Sequence, residues 1–273
     1  MADRAFGFVQ FELACPLGPA DGRYLRRAPG GEPERIVVLR TLGARERRLI
    51  RGRRPQAVWE APEAQEVPTV RATLIGAQPL DDADAWLDSL RHDAAAREAE
   101  VASALGELNA VLRAHRAAAA DPYAREIARW HSNVVRIGYG AGEKVADGRF
   151  DAAYDVPERQ PRTRSGEGVA PQERLAAILS GGDRALVSEE LVLRARLDLD
   201  AGRPREAALQ ARVALEALIA ELPAAGDLAQ HRDAVGQAAN AALDGDPPPE
   251  QEAAVAEAVL AMRRALAARP PVV

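Results

Sequence analysis

The sequence predicts an α+β domain, with a small and mostly antiparallel sheet and long helices, followed by an all-α helical bundle. Two changes of pattern support this prediction. In roughly the first 80 residues, short apolar runs alternate with segments rich in proline and glycine, as in a sheet of short strands. From residue 81 to 119, and again after residue 172, apolar residues recur every three or four positions, which is the period of a helix. The predicted domains are 1–154 and 173–270, joined by a flexible linker at 155–172.

Four segments of the first domain are predicted as strands. Proline, glycine and acidic residues separate them, and these residue types end strands and form turns. Ile36–Leu39 is a continuous apolar run and is therefore the best candidate for a central strand. The four segments are AFGFVQFELA at 5–14, GRYLRR at 22–27, RIVVLRTLG at 35–43 and TVRATLIGAQ at 69–78.

A long amphipathic helix is predicted from Asp82 to about Ala119. Asp81 or Asp82 can cap its first turn, and an irregularity is expected near Arg97. The helix is also a candidate surface for homo-oligomer formation. Its apolar stripe contains Leu87, Leu90, Ala94, Val101, Leu105, Leu108 and Leu112.

A second helix is predicted to begin at Asp121 as cap, with Pro122 in the favoured first helical position, and to run to the glycines after residue 137. The stretch 155–172 contains proline, glycine, serine and charge but only valine among its larger apolar residues, so it is expected to be a linker. Beyond it, five helices with short connections predict an antiparallel bundle.

The hairpin LVLRARLDLDAGRPREAALQARVALEAL, at 191–218, resembles a single tetratricopeptide unit, and the resemblance extends over residues 191–222. Gly202 occupies the turn, Ala195 a small-residue packing position, and Ala214 a position near the end of the second helix. The same alanine-rich helices resemble the small bundles called HEPN domains. The resemblance to tetratricopeptide units implies a role in binding peptides or proteins. The alternative is a tightly packed helical hairpin without such a role.

Composition excludes several classes of site. Cys15 is the single cysteine, so a disulfide framework and a cysteine-based zinc site are ruled out. The four histidines lack metal-ligand spacing, so neither a metal nor a cofactor is expected. The N-terminus does not resemble a signal peptide and apolar runs are too short to cross a membrane, so a cytoplasmic protein is expected.

One segment is strongly basic although the whole chain has a net charge of −5. Between Asp21 and Arg54, eleven arginines face four acids. Clustered guanidinium groups can neutralise phosphates, which favours nucleic acid or another polyanion as partner. The alternatives are an anionic membrane surface, a solvated loop, and a loop that docks on the chain's own acidic residues. The predicted polyanion-binding residues are Arg40, Arg45, Arg47, Arg48, Arg51, Arg53 and Arg54.

The stretch VVRIGYGAGEKVADGRF, at 134–150, contains the only lysine, Lys144, among the glycines Gly138, Gly140 and Gly142. Its glycine spacing departs from the dinucleotide-binding motif, and a Walker loop would need a hydroxyl where Val145 stands. The interpretation favoured by the sequence is a glycine-terminated helix leading into a turn. An enzyme site here would need a concave pocket lined by Lys144, His131 and a carboxylate.

The leading functional prediction is therefore a non-enzymatic protein that binds a macromolecule. A protein partner, bound through the bundle or the long helix, comes first. Nucleic acid bound by the Arg40–Arg54 segment comes second, and an enzyme with a site near 134–150 comes third. The sequence contains no local catalytic motif that would favour the third.

Overall fold

The computed structural model describes residues 4–27, 31–43, 69–157, 171–223 and 226–269. The chain divides into two compact units, Met1–Gln160 and Pro161–Val273. Most of the predicted linker lies outside the described residues, so its limits stay a prediction. In the part that is described, no helix is both long enough and apolar enough to span a membrane.

The described residues of the first unit form a six-stranded sheet in which all neighbouring strands are antiparallel, and its order is β2-β3-β4-β1-β5-β6. The four predicted strands are present, and together with the helices they confirm the predicted fold class. The strands are β1 (Ala5–Leu13), β2 (Gly22–Arg27), β3 (Pro33–Leu42), β4 (Thr69–Gly76), β5 (Ser132–Ala141) and β6 (Ala152–Asp155).

The centre of the sheet is β1, which pairs with β4 on one side and β5 on the other. Its side chains alternate between the two faces, so Val9, Phe11 and Leu13 belong to one core and Phe8 to another. Because both faces of β1 are buried, the strand is apolar on both sides along most of its length.

Two helices, α1 (Ala83–His92) and α2 (Ala94–Ala119), cover the first face of the sheet. The Asp82 carboxylate caps α1 as predicted, accepting a hydrogen bond from the backbone N–H of Ala85 at 2.9 Å. The buried residues of α2 are Val101, Ala104, Leu108 and Leu112, and they join the core under the sheet.

The irregularity predicted near Arg97 lies at Asp93 instead, where α1 ends and α2 begins. The Asp93 carboxylate accepts hydrogen bonds from the backbone N–H groups of Ala95 and Ala96. This local capping competes with continuation of one helix through Asp93, and it fixes the break.

The prediction of a helix beginning at Asp121 is wrong. Residues 121–128 form turns and irregular backbone, a short 3-10 helix spans Arg129–His131, and β5 follows directly. The Asp121 carboxylate accepts a hydrogen bond from the Tyr123 N–H, which closes a turn of the kind that aspartate favours. After β5 come the five-residue helix α3 (Gly142–Ala146) and then β6.

The second unit is helical, as predicted. Its core consists largely of alanine, so the helices can approach each other closely; Ala195, Ala207, Ala211 and Ala214 are fully buried. Gly202, at a φ of +64°, forms the turn of the predicted hairpin. The helices are α4 (Pro171–Leu179), α5 (Val187–Asp200), α6 (Pro204–Glu221), α7 (Arg232–Asp244) and α8 (Pro249–Ala268), with a 3-10 helix at Gly226–His231.

A buried ion-pair network joins the start of this unit to its end. Arg269, which follows α8, contacts Asp183 at 3.2 Å and Glu189 at 3.1 Å. Arg174 of α4 contacts the same two carboxylates. Each buried charge therefore has opposite charges beside it, as burial requires.

Candidate functional site

The second face of the sheet, opposite α1 and α2, is covered differently. Here α3 contributes Val145 and Ala146 to a small core with Phe8, Val38 and Ile75. Because α3 is only five residues long, it covers only part of the face. Beside this helix, part of the face forms an open groove.

Gly138 and Gly140, from the predicted loop, lie in β5, and Gly142 and Lys144 lie in α3. The expected glycine-terminated helix is therefore a strand followed by a short helix. A Cβ on Gly138 would lie 2.4 Å from the Ala152 carbonyl oxygen, and a Cβ on Gly140 would lie 3.1 Å from the Phe150 Cα. These glycines allow the chain after α3 to pack closely over β5.

Ion pairs connect α3 and the residue after it to β2 and β3. Arg23 of β2 contacts Glu143 at 2.9 Å and Asp147 at 3.4 Å. Arg40 of β3 donates to the same Asp147 carboxylate at 2.7 Å. Hydrogen bonding to Glu143, followed by its charge, raises the pKa of the Arg23 guanidinium above its usual value. The helix itself packs against β1, β4 and β5, and these ion pairs link it to the neighbouring strands β2 and β3.

Arg40 is therefore the one predicted polyanion-binding residue whose surroundings can be stated, and it forms an ion pair with Asp147. The other six, Arg45, Arg47, Arg48, Arg51, Arg53 and Arg54, lie outside the described residues.

A polar row crosses the middle of the second face. Gln10 donates to the Thr73 hydroxyl at 2.9 Å and accepts from Arg136 at 3.1 Å. Arg136 also contacts Asp155 at 2.7 Å. Gln10 and Thr73 are buried, and each takes part in hydrogen bonding within the row. This arrangement accounts for buried polar side chains in a sheet face without a ligand.

A groove of about 660 Å³ opens on the second face beside α3. Its base is a row of apolar side chains across three strands, since Leu25 of β2 lies opposite Ile36 of β3, and Ile36 opposite Ile75 of β4. Phe6 of β1 extends the apolar lining. Leu25 is 49% exposed, although it is a large apolar side chain. The other residues lining the groove are Arg4, Arg23, Pro33, Gly76, Ala77, Ala141, Gly142, Glu143, Lys144 and Ala146.

The charged groups of the groove are mostly cationic. Among the residues that the structure describes, its lining includes Arg4, Arg23 and Lys144 and one acid, Glu143, which contacts Arg23. An apolar base with a cationic margin suits a ligand that has apolar and acidic groups side by side.

Of the residues expected to line an enzyme pocket, only some lie together. Lys144 and the carboxylate of Glu143 line the groove, but His131 does not. His131 precedes β5, whereas α3 follows it, and a ten-residue strand spans roughly 30 Å. The His131 ring nitrogen Nδ1 instead accepts a hydrogen bond from the Ala128 N–H at 2.9 Å. The described residues also contain no group of three or more histidine, cysteine or acidic side chains that could hold a metal ion.

Sequence reasoning did not select Arg4, Phe6, Arg23 and Leu25 as site residues. The alternation of arginine and apolar residues in GRYLRR was the available signal, because it places Arg23 and Leu25 on the same face of a strand. Their approach to α3 depends on pairing between distant segments.

Comparisons with protein-family models, with curated proteins and with solved structures gave no match to this chain.

Proposed function

We propose that this protein binds a partner protein, and that the groove beside α3 receives a segment of the partner with apolar and acidic side chains. The observation that supports the proposal is the groove itself. Its base exposes Leu25, and Arg4, Arg23 and Lys144 stand along its margin.

The two kinds of lining residue contribute in different ways. Burying a fully exposed leucine side chain contributes about 1.5–3 kcal/mol. Leu25 is 49% exposed, so covering it contributes about half of that, and the apolar base can supply affinity. The cationic margin favours acidic partners, speeds their approach and orients them, and its contribution falls as salt rises. Guanidinium, ammonium and aliphatic groups together suit recognition better than covalent chemistry.

The polyanion hypothesis stays a second prediction and can be tested separately. The groove lies where β3 begins and β4 ends, at Pro33 and Gly76. Apart from Arg40, which lies within β3, the arginine-rich segment follows the other end of that strand in the sequence, which is Leu42. Substitutions in one region therefore leave the other region's residues intact.

Capture of partners from native-cell extract, by the full chain and by its Leu25→Glu variant, tests the proposal. The substitution places a carboxylate in the groove, where it repels acidic groups and removes the apolar contact. Leu25 is half-exposed on an edge strand, so the change is compatible with folding. We expect one or more proteins to be captured by the natural chain and lost with the variant, in nuclease-treated and untreated extracts alike.

Leu193→Glu is the matched control, because Leu193 is an exposed leucine of α5 in the second unit. It should capture the same proteins as the natural chain. Leu193 also lies in the 191–222 hairpin that resembles a tetratricopeptide unit, so loss of capture with this variant alone would indicate the hairpin as docking site and contradict the proposal. Cross-linking followed by peptide mapping should locate the captured segment and show that it is apolar and acidic. If Leu25→Glu captures the same proteins as the natural chain, the groove is not the docking site and the proposal is wrong.

A further inference from the structure

The exposed edge of β2 indicates how a ligand could bind beside the groove. In the described sheet, β2 pairs with β3 on one side and with no strand on the other. The backbone groups along this outer edge can pair with an added strand. Resting on the proposed function, we infer that the partner segment binds as an extended strand added to β2.

The side chains of β2 connect this edge to the groove. Arg23 and Leu25 point to the second face and line the groove, whereas Tyr24 packs toward the core of the first face. A strand added beside β2 would alternate in the same way. Every second side chain of the ligand would then lie over the groove margin, next to Leu25. The edge supplies backbone hydrogen bonds and the groove supplies side-chain selectivity.

Charge identifies the kind of strand that fits. Three of the six residues of β2 are arginine and none is acidic. In an antiparallel pair of two β2 strands centred on Leu25, Arg23 would lie opposite Arg27 of the second copy, and like charges directly opposite are destabilising. In this register the edge disfavours a second copy of this chain, and the three arginines favour an acidic strand.

The arginines are partly neutralised by their own chain but remain accessible. Arg23 contacts both Glu143 and Asp147. Arg26 contacts Glu107 at 3.4 Å and Glu34 at 3.6 Å. Their side chains are nevertheless 44% and 35% exposed, so a ligand carboxylate can reach them. The internal acids hold the guanidinium groups in place, which lowers the entropy lost when a ligand binds.

These positions specify the ligand pattern. In the antiparallel orientation, acidic residues would lie opposite Arg27, Arg26 and Arg23, and apolar residues opposite Leu25 and Tyr24. The complementary segment therefore reads Glu-Glu-Leu-Val-Glu.

The test uses a fluorescein-labelled peptide, Gly-Glu-Glu-Leu-Val-Glu-Gly, and the full chain at low salt, with binding measured by fluorescence anisotropy. Two further peptides carry backbone N-methyl groups within the Glu-Glu-Leu-Val-Glu core. One is methylated on the first, third and fifth residues of the core, and the other on the second and fourth. In an added strand only alternate N–H groups face β2. We expect one methylated peptide to lose affinity roughly tenfold or more and the other to bind within about twofold of the parent.

The protein is unchanged in this comparison, so loss of folding cannot explain the result. The Leu25→Glu variant should bind the parent peptide more weakly, and Leu193→Glu should bind it normally. Equal affinities for the two methylated peptides would overturn strand addition, as would a parent peptide that does not bind.

Partner capture by the natural chain and by Leu25→Glu distinguishes failure of the proposed docking site from failure of strand addition alone. If capture depends on Leu25 but the two methylated peptides bind equally well, the groove is the docking site and the partner does not bind as an added strand. If capture does not depend on Leu25, both the groove as docking site and the added strand are wrong.

Discussion

Gly138 illustrates how a residue that looks functional in the sequence can be required for packing. Its α-carbon lies close to β6, on one side, and to Phe8 of β1, on the other. A methyl group at this position would lie 2.5 Å from the Ala153 Cβ and 2.8 Å from the Phe8 ring. These distances are shorter than any comfortable carbon–carbon contact, so β6 or Phe8 would have to move. The role of this glycine is therefore close approach of two chain segments.

Gly138→Ala should destabilise the first unit by roughly 1–3 kcal/mol, the range observed for overpacked interiors. Urea unfolding followed by tryptophan fluorescence would measure the change. Gly106→Ala is the matched control, because a Cβ at Gly106 in α2 meets nothing within 4 Å. That substitution should raise the free energy of unfolding by about 0.5–1 kcal/mol, since alanine favours the helix. Equal effects of the two substitutions would show that the close contacts at Gly138 are relieved without cost.

The start of α5 depends on a side chain from the end of α6. The Glu221 carboxylate accepts hydrogen bonds from the N–H groups of Val187 at 3.1 Å and Ser188 at 3.0 Å. Burial by itself would raise the pKa of Glu221, but the hydrogen bonds from Ser188 and Val187 outweigh it. The pKa of this carboxyl is therefore lowered in the folded protein.

Glu221→Gln should lower the free energy of unfolding of the bundle at neutral pH by about 0.5–2 kcal/mol, the range for loss of a helix cap. Because the folded-state pKa lies below the unfolded value of about 4.3, the stabilisation is complete above that pH. It is lost as pH falls through the folded-state pKa. The difference between the two proteins should therefore shrink in acid, as followed by far-ultraviolet circular dichroism.

The control for this prediction is Glu257→Gln, because Glu257 is an exposed carboxylate within α8. It should change stability little at any pH. A constant difference between Glu221→Gln and the natural chain from neutral pH into acid would contradict the capping role.

The strands and helices whose apolar residues recur with a clear period could be predicted from the sequence, but β5 could not. Asp121 and Pro122 are typical of a helix start, and two glycines within a segment weaken any expectation of a strand. The alternation of Val135, Ile137 and Tyr139 was the contrary signal. The strand forms because β1 pairs with it along nine positions, from Ala5 to Leu13, and such pairing is not encoded locally.

The site was predictable only in fragments for the same reason. The loop with Lys144 and the strand with Arg23 were both identified in the sequence. The contact between Arg23 and Glu143, however, joins residues 120 positions apart. It requires the strand order β2-β3-β4-β1-β5, which depends on the packing of the whole sheet. Local patterns indicate a strand's face, but they do not indicate which helix lies over it.

The two units have separate cores of different composition. The cores around the sheet use residues of the first unit, and the core of the bundle uses residues of the second. All four phenylalanines, four tyrosines and three tryptophans precede residue 155. The bundle core consists mainly of alanine, leucine and valine. Tryptophan fluorescence therefore reports on the first unit, whereas far-ultraviolet circular dichroism is weighted toward the helices of the second.

Because each core is complete within its unit, we expect unfolding of the full chain to show two transitions. The fluorescence and circular dichroism curves in urea should not coincide, which is the accepted sign of departure from two-state behaviour. Gly138→Ala should shift the fluorescence transition alone, and Glu221→Gln should shift the circular dichroism transition with the fluorescence curve unchanged. Coincident curves that both variants move together would show instead that the two units unfold as one cooperative body. In that case substitutions in the bundle would also alter the stability of the groove, and Leu193→Glu would no longer serve as an independent control.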